Sequence, residues 1–296
     1  MILTEQKSKV IAFSGEYTTE NNYKPDGNKL IEFAGRICYK SDMSNDTIGF
    51  IDNILKNKHF SVLEHSWDFR MYETISKEYQ FLNYLYTDDG VVVAGNKRAF
   101  LECGASESYQ YINASNFFRE VLKKKAWHML SATAHLICNR GVSHELVRHR
   151  VASYSQESTR YCNYSKNKFN NELTYIIPHY ISDLKPGSYN KENKPEFLSE
   201  ESSEWFDCML SIEESYMNLL KMGKNAQEAR GILPNDLKTE IVVTASLEEW
   251  KHIFMLRLSK KAHPQIREVL LETYNGMKMI AFGEVFKDLQ VDGNVL

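Results

Sequence analysis

Arg148-His-Arg-Val-Ala-Ser-Tyr-Ser-Gln-Glu-Ser-Thr-Arg-Tyr161 places three arginines, a histidine, two tyrosines and a row of hydroxyl and amide side chains within fourteen residues. No hydrophobic period runs through it, and few of these residues suit a core. Each arginine presents a planar fork of donors that matches phosphate or carboxylate in a bidentate way. Serine, threonine and glutamine add short-range donors and acceptors that can orient a polar ligand. A solvated basic loop would have the same composition; the flank decides between the two. Just upstream, Gly141-Val-Ser-His-Glu-Leu-Val147 reads as a helix start with Ser143 at the N-cap. That start puts Glu145, Arg148 and His149 on one helical face at i, i+3 and i+4. A carboxylate and two cationic or titratable donors then converge where the helix gives way to a Ser-rich loop, which describes an anion site.

Outward from this stretch, composition narrows the classes. The chain has 296 residues, 36 Lys and Arg against 39 Asp and Glu, and a formal net charge of -3. It is long enough to bury a substantial core. The global field does not favour nucleic acid, so anion binding must be local. No apolar run approaches membrane-spanning length, and the N-terminus carries no secretory or transit pattern. Cys38, Cys103, Cys138, Cys162 and Cys208 are scattered, odd in number and without a CxxC pair. They read as reduced thiols of a cytoplasmic protein.

Patterning predicts a strand at 10–13, a polar loop through Pro25-Asp-Gly27, and helices from Asn28 and over 47–57. Alternation marks a half-buried strand at 67–72. A helix is expected over 76–85, a turn at Asp88-Asp-Gly90, strand character from Gly90, and a further helix over 116–130. A buried strand at 130–138 leads into the helix before the central stretch. After it come a strand at 173–177, a breaker-rich surface loop at 183–203, and an amphipathic helix over about 201–222. A β-branched strand at 237–244 precedes Ser246-Leu-Glu-Glu249, a capping-box pattern that opens the next helix. Arg257 falls in that helix's apolar stripe with Trp250 and Phe254. There it must be paired, either to a carboxylate or to a ligand. The last helix runs from Pro264 to about Phe286.

The central stretch resembles the signature of the flavin-dependent thymidylate synthases: R-H-R, two residues, S, four residues, S, one residue, R-Y. Arg148, His149, Arg150, Ser153, Ser158, Arg160 and Tyr161 meet every fixed position. Ser155 stands where that pattern often has Asn, and Gln156 where other members have Glu. His59-Phe-Ser-Val-Leu-Glu-His65 is similar to the family's H-x-[ST]-x-x-E-H segment. Ala229-Arg-Gly-Ile-Leu-Pro234, Leu256-Arg257 and Ala262-His-Pro-Gln-Ile-Arg267 match further family segments. The resemblance covers about 59–267 and is weakest over 76–128, a connection that compact members make with fewer residues.

What the resemblance implies is specific. The fold would be α+β, one domain over 1–296 with a central twisted, largely antiparallel sheet flanked by long helices and a non-Rossmann flavin site. The reaction would be reductive methylation of dUMP to dTMP, with FAD as cofactor and 5,10-methylenetetrahydrofolate and NADPH as co-substrates. The protein would be a homotetramer with shared active sites. Glu145, Arg148, Gln156, Ser158, Thr159, Arg160, Arg230 and Arg257 would bind dUMP, Arg160 and Arg257 acting in catalysis. His59, Ser61, Arg148, His149, Arg150, Gln156 and His252 would contact FAD, with Ser246 at a position often held by Asn. No metal is implied. Cys162 lies outside the signature, and Ser158 has no visible activating base. A non-catalytic nucleotide- or RNA-binding protein, or a metal-dependent hydrolase using His59, Glu64 and His65, would be the alternative classes.

Overall fold

The computed structural model describes residues 1–13, 27–104, 114–280 and 283–289. The polar loop expected through Pro25 lies mostly outside these residues. The chain opens with β1 (Ile2–Thr4), β2 (Lys7–Phe13), α1 (Gly27–Tyr39) and α2 (Thr47–Lys56), then a 3-10 helix at Phe60–His65. Next come β3 (Trp67–Tyr72), β4 (Asn83–Thr87), β5 (Gly90–Asn96), α3 (Lys97–Glu102) and α4 (Ala114–Lys124). The middle of the chain forms β6 (Ser131–Asn139), α5 (Arg140–Leu146), β7 (Ala152–Gln156), β8 (Thr174–Ile176) and β9 (Gly187–Ser188). It closes with α6 (Glu200–Lys221), α7 (Ala226–Ala229), β10 (Lys238–Ser246), α8 (Leu247–Arg257) and α9 (Pro264–Ile280). This is an α+β fold, and none of its described helices is long and apolar enough to cross a membrane.

The expected central sheet is present as four antiparallel strands in the order β2-β6-β10-β7. Two three-stranded sheets accompany it, β3-β5-β4 and β8-β1-β9, the latter containing a parallel pair between β1 and β8. Residues 239–245 of β10 are all buried, as befits a strand covered on both faces. Against them pack Trp250, Phe254, Ile266 and Leu270 of α8 and α9. The Trp250 indole N–H, buried with its ring, donates to the Ala132 carbonyl at 2.9 Å, so the largest core side chain carries no unsatisfied donor.

Four expectations change. Residues 76–82 form no helix, and 83–87 are the strand β4. Asn83, Tyr84, Leu85, Tyr86 and Thr87 pair across a tight turn with β5, and the sheet overrides a weak helical period. At that turn Gly90 has φ +139°, and a Cβ there would lie 2.4 Å from the Tyr72 carbonyl oxygen. The helix expected at 116–130 ends at Lys124. The N-cap of α5 is Asn139, whose side chain accepts from the Val142 N–H at 2.7 Å, and Ser143 sits inside the helix. Finally, α9 ends at Ile280 and residues 283–288 form turns; between them, 281–282 lie outside the described residues.

Candidate active site

Although α5 stops at Leu146, the chain keeps turning: the Arg148 N–H donates to the Glu145 carbonyl and the His149 N–H to that of Leu146. Glu145 and His149 therefore face one direction without sharing a helical face. The residue that joins them comes from α8. Arg257 donates from Nη1 to Glu145 Oε2 at 2.8 Å, from Nη2 to the Glu145 carbonyl at 3.0 Å and from Nε to His149 Nε2 at 3.0 Å. All three bonds use the guanidinium fork, which a lysine could not reproduce. This settles the pairing of Arg257: it is an ion pair with Glu145, and the same arginine lines a cavity of about 470 Å³ with Arg148, His149, Arg150 and His252. Arg148 and Arg150 are exposed and have no ion-pair partner among the described residues. Two uncancelled guanidiniums on one concavity suit a doubly charged anion such as a pyrophosphate.

Burial, Arg257 and His252 together pull the His149 imidazole down to about 4, so it is neutral at physiological pH. Because His149 Nε2 accepts from Arg257, the ring proton sits on Nδ1, 3.9 Å from Glu249 Oε1. That tautomer bears on metal binding. His149, Glu249 and His252 bring ligand atoms within 4.8 Å of one another, but His149 Nδ1 could ligate only by moving its proton to the nitrogen that Arg257 occupies. The donor set as arranged does not fit a cation. The other metal reading fails on geometry too. Both ring nitrogens of His65 are engaged, Nδ1 with Thr244 Oγ1 at 2.8 Å and Nε2 with Ser155 Oγ at 2.9 Å, while Glu64 is bonded to Arg98 and Ser153.

Those bonds reveal what Glu64 and His65 do. The first half of the supposed Ser-rich loop is the edge strand β7, and its inward residues are Ser153 and Ser155. Glu64 Oε2 accepts from the Ser153 hydroxyl at 2.8 Å, and His65 pairs with Ser155. The two segments recognised separately in the sequence are thus one braced unit that fixes the strand leading away from Arg150. Gln156, the last residue of β7, donates from Nε2 to Ser143 Oγ at 2.8 Å and Thr239 Oγ1 at 3.1 Å, so its N–H donors are used within the fold and only its oxygen could meet a ligand.

The remaining sequence-predicted residues form a second group. Ser158 Oγ accepts from the Arg160 N–H, Arg160 Nε donates to Gln227 Oε1 at 2.9 Å, and Thr159 is buried. Gln227 lies on α7 three residues before its C-cap Arg230, so the residue that holds Arg160 and Arg230 itself share one face of that short helix. Neither lines the cavity containing Arg257. His59 and Ser61, at the start of the 3-10 helix, are exposed and line neither that cavity nor the adjoining one described below.

Sequence reasoning missed Glu157, Lys238 and Glu240. Lys238 Nζ donates to Glu157 Oε2 at 2.9 Å and to Glu240 Oε1 at 2.8 Å, and Glu240 also binds His135 and Lys40. Burial pushes Glu240 upward, but its bonds with His135, Lys238 and Lys40 hold it well below the usual carboxylate range. Lys238 and Glu240, two charged residues alternating at the start of a β-branched strand, were the available signal. Cys162, the thiol next to the central stretch, is not poised to react: burial and the neighbouring Glu157 push it up to about 12. Cys162→Ala is expected to retain catalytic turnover; loss of turnover with normal folding and cofactor content would return a thiol mechanism to consideration.

A cavity lined by two arginines unpaired among the described residues, a neutral histidine, a carboxylate-locked arginine and the single carboxylate Glu249 has the chemistry to receive an anionic ligand. The model of the thymidylate synthase complementing protein family matches residues 21–76 and 94–281, and the chain belongs to that family. A flavin-dependent thymidylate synthase of Pyrococcus abyssi is 40% identical over 132 residues, covering 45% of this chain and 48% of that relative. The chain thus spans about half the length of such curated relatives. The corresponding protein of Mycobacterium bovis is 24% identical over 278 residues, 90% of this chain and 80% of its own. Among solved structures, a UMP/dUMP methylase PolB from Streptomyces cacaoi, bound with 5-Br UMP, aligns over 96% of this chain and 95% of its own, with 14% identity and a TM-score of 0.46.

Proposed function

We propose that the protein is a flavin-dependent thymidylate synthase that converts dUMP to dTMP, with 5,10-methylenetetrahydrofolate as carbon donor and NADPH as reductant. The carrying observation is the cavity on which Arg148, His149, Arg150, His252 and Arg257 converge. FAD, when bound, would supply the redox chemistry. The exposed Arg148 and Arg150 hold its phosphates, and neutral His149 offers its Nδ1 proton as a hydrogen-bond donor. Arg257, oriented by Glu145 and His149, and Arg160 stabilise charge that develops on the pyrimidine. Glu145, Gln156, Ser158, Thr159 and Arg230 complete the dUMP site; His59 and Ser61 complete the flavin site.

The separation of the Arg160–Arg230 group from the Arg257 cavity favours a site shared between subunits of a homotetramer. The chain, read as one domain over 1–296, has five free cysteines, which suits a cytoplasmic enzyme. The test is direct. The protein should bind FAD non-covalently and show a flavin spectrum, and dTMP should form only when dUMP, methylenetetrahydrofolate and NADPH are all present. A folded protein that takes up no added FAD would overturn the reading.

A further inference from the structure

The family match skips residues 77–93, and that skipped segment reaches the signature. A second cavity of about 380 Å³ is lined by Arg150, Val151 and Ser153 of the signature together with Gln80, Phe81 and Asn83. Arg150 and Val151 also line the cavity of Arg257, so the two concavities meet at the signature. The segment is held there by close packing. A Cβ on Gly95 of β5 would lie 2.6 Å from Leu82 Cδ2 and 3.3 Å from the Phe81 carbonyl oxygen, so glycine lets the segment press against the sheet. Leu82 is buried by that contact, whereas Phe81 next to it is 70% exposed. The charge of the cavity is also uneven. Arg98 is paired with Glu64 and Glu102, both of which line the same space, while Arg150 has no ion-pair partner among the described residues.

From these juxtapositions we infer that Gln80, Phe81 and Asn83, in the segment outside the family match, form a wall of the ligand site, with Phe81 packing on a heteroaromatic ring of the anionic cofactor whose phosphate Arg150 binds. The inference rests on the flavin reading above. An exposed phenylalanine alone would mean nothing. Here it lines the same cavity as Arg150, which has no ion-pair partner among the described residues, and the polar lining (Gln80, Asn83 and Asn96) can bond the edge of a ring. FAD has two such rings, isoalloxazine and adenine, and either satisfies the chemistry. Truncating an aromatic platform under a stacked ring weakens binding by roughly 5- to 150-fold; the rim position of Phe81 puts the expectation near the lower part of that range, about tenfold.

The full-length protein, stripped of flavin, is titrated with FAD and with FMN by fluorescence and calorimetry. Phe81→Ala should raise the FAD Kd about tenfold, and Phe81→Tyr should restore it. Tyr86→Ala, on the same inserted hairpin but away from the cavity lining, should leave it unchanged. An FMN Kd that rises in parallel places isoalloxazine at Phe81; one that stays constant places adenine there. Unchanged FAD binding by folded Phe81→Ala, or an equal loss in Tyr86→Ala, overturns the inference while the flavin reading stands. A wild-type protein that binds no FAD overturns both.

Discussion

Arg257→Ala is expected to lower dUMP-dependent turnover by a factor on the order of a hundred or more, the cost of losing one preorganised donor at a developing charge, with little loss of stability. The two outcomes separate because of where the ion pair sits. Arg257 is 20% and Glu145 34% exposed at their side chains, so Glu145 can rehydrate when its partner goes. A pair this open contributes about 1 kcal/mol or less, which for a chain of this size shifts Tm by about 2 °C. A deeply buried pair would instead lose several kcal/mol. Arg257→Lys restores the charge, but one ammonium cannot serve both His149 Nε2 and the Glu145 carboxylate as the guanidinium does. Only part of the activity should return. Thermal unfolding is measured beside dUMP-dependent oxidation of the reduced flavin by methylenetetrahydrofolate. A variant that melts early yet turns over normally per folded molecule would remove Arg257 from the active site.

The ion pair also shows how far the sequence could be read. That Arg257 in an apolar stripe needed a partner followed from the cost of burying a charge, and the helix carrying it was marked by Ser246, whose side chain accepts from the Glu249 N–H at 3.1 Å. Which partner it took depended on α5 and α8 meeting, a long-range contact that no local pattern encodes. The same limit explains β7. Ser153 and Ser155 are poor core residues taken singly, so a strand burying them looks like a loop until Glu64 and His65 arrive to satisfy the hydroxyls. Polar residues that are buried in pairs erase the hydrophobic period from which strands are read. The helix expected at 76–85 failed for the opposite reason: apolar spacing was present, but pairing with β5 decided the conformation. Arg160 bonds Gln227 of α7 and Arg230 caps the same helix, but no periodicity could show that neither lines the cavity of Arg257 within one chain.

The brace between the two recognised segments carries an acid lability. His65 is almost wholly buried between Thr244 and Ser155, and that burial lowers its pKa from 6.5 to about 3. The folded protein therefore keeps the ring neutral throughout the range in which the unfolded chain takes up a proton. Between these two values the unfolded state binds more protons, so stability is complete above pH 6.5 and falls as pH drops toward 3. The slope approaches about 1.4 kcal/mol per pH unit, and the whole window is worth several kcal/mol. Glu32 and Glu240, whose pKa values are lowered, act on the acid side of the ordinary carboxylate value of 4.5. In the interval from about pH 6.5 to 4.5 the histidines lower stability as pH falls, and Glu213 and Glu249, whose pKa values burial raises, work against them. His149, lowered to about 4, contributes there as well. Urea unfolding at pH 7, 6 and 5 should then show His65→Gln to be less stable at pH 7, because its packing is lost, but with a clearly shallower dependence on pH than the wild type. An undiminished slope in the variant would mean that His65 is not held neutral. Because its bonds join β10 to β7, the strand next to Arg150, protonation of His65 would loosen the signature before the rest of the sheet. Cofactor release should accordingly precede global unfolding as the pH is lowered.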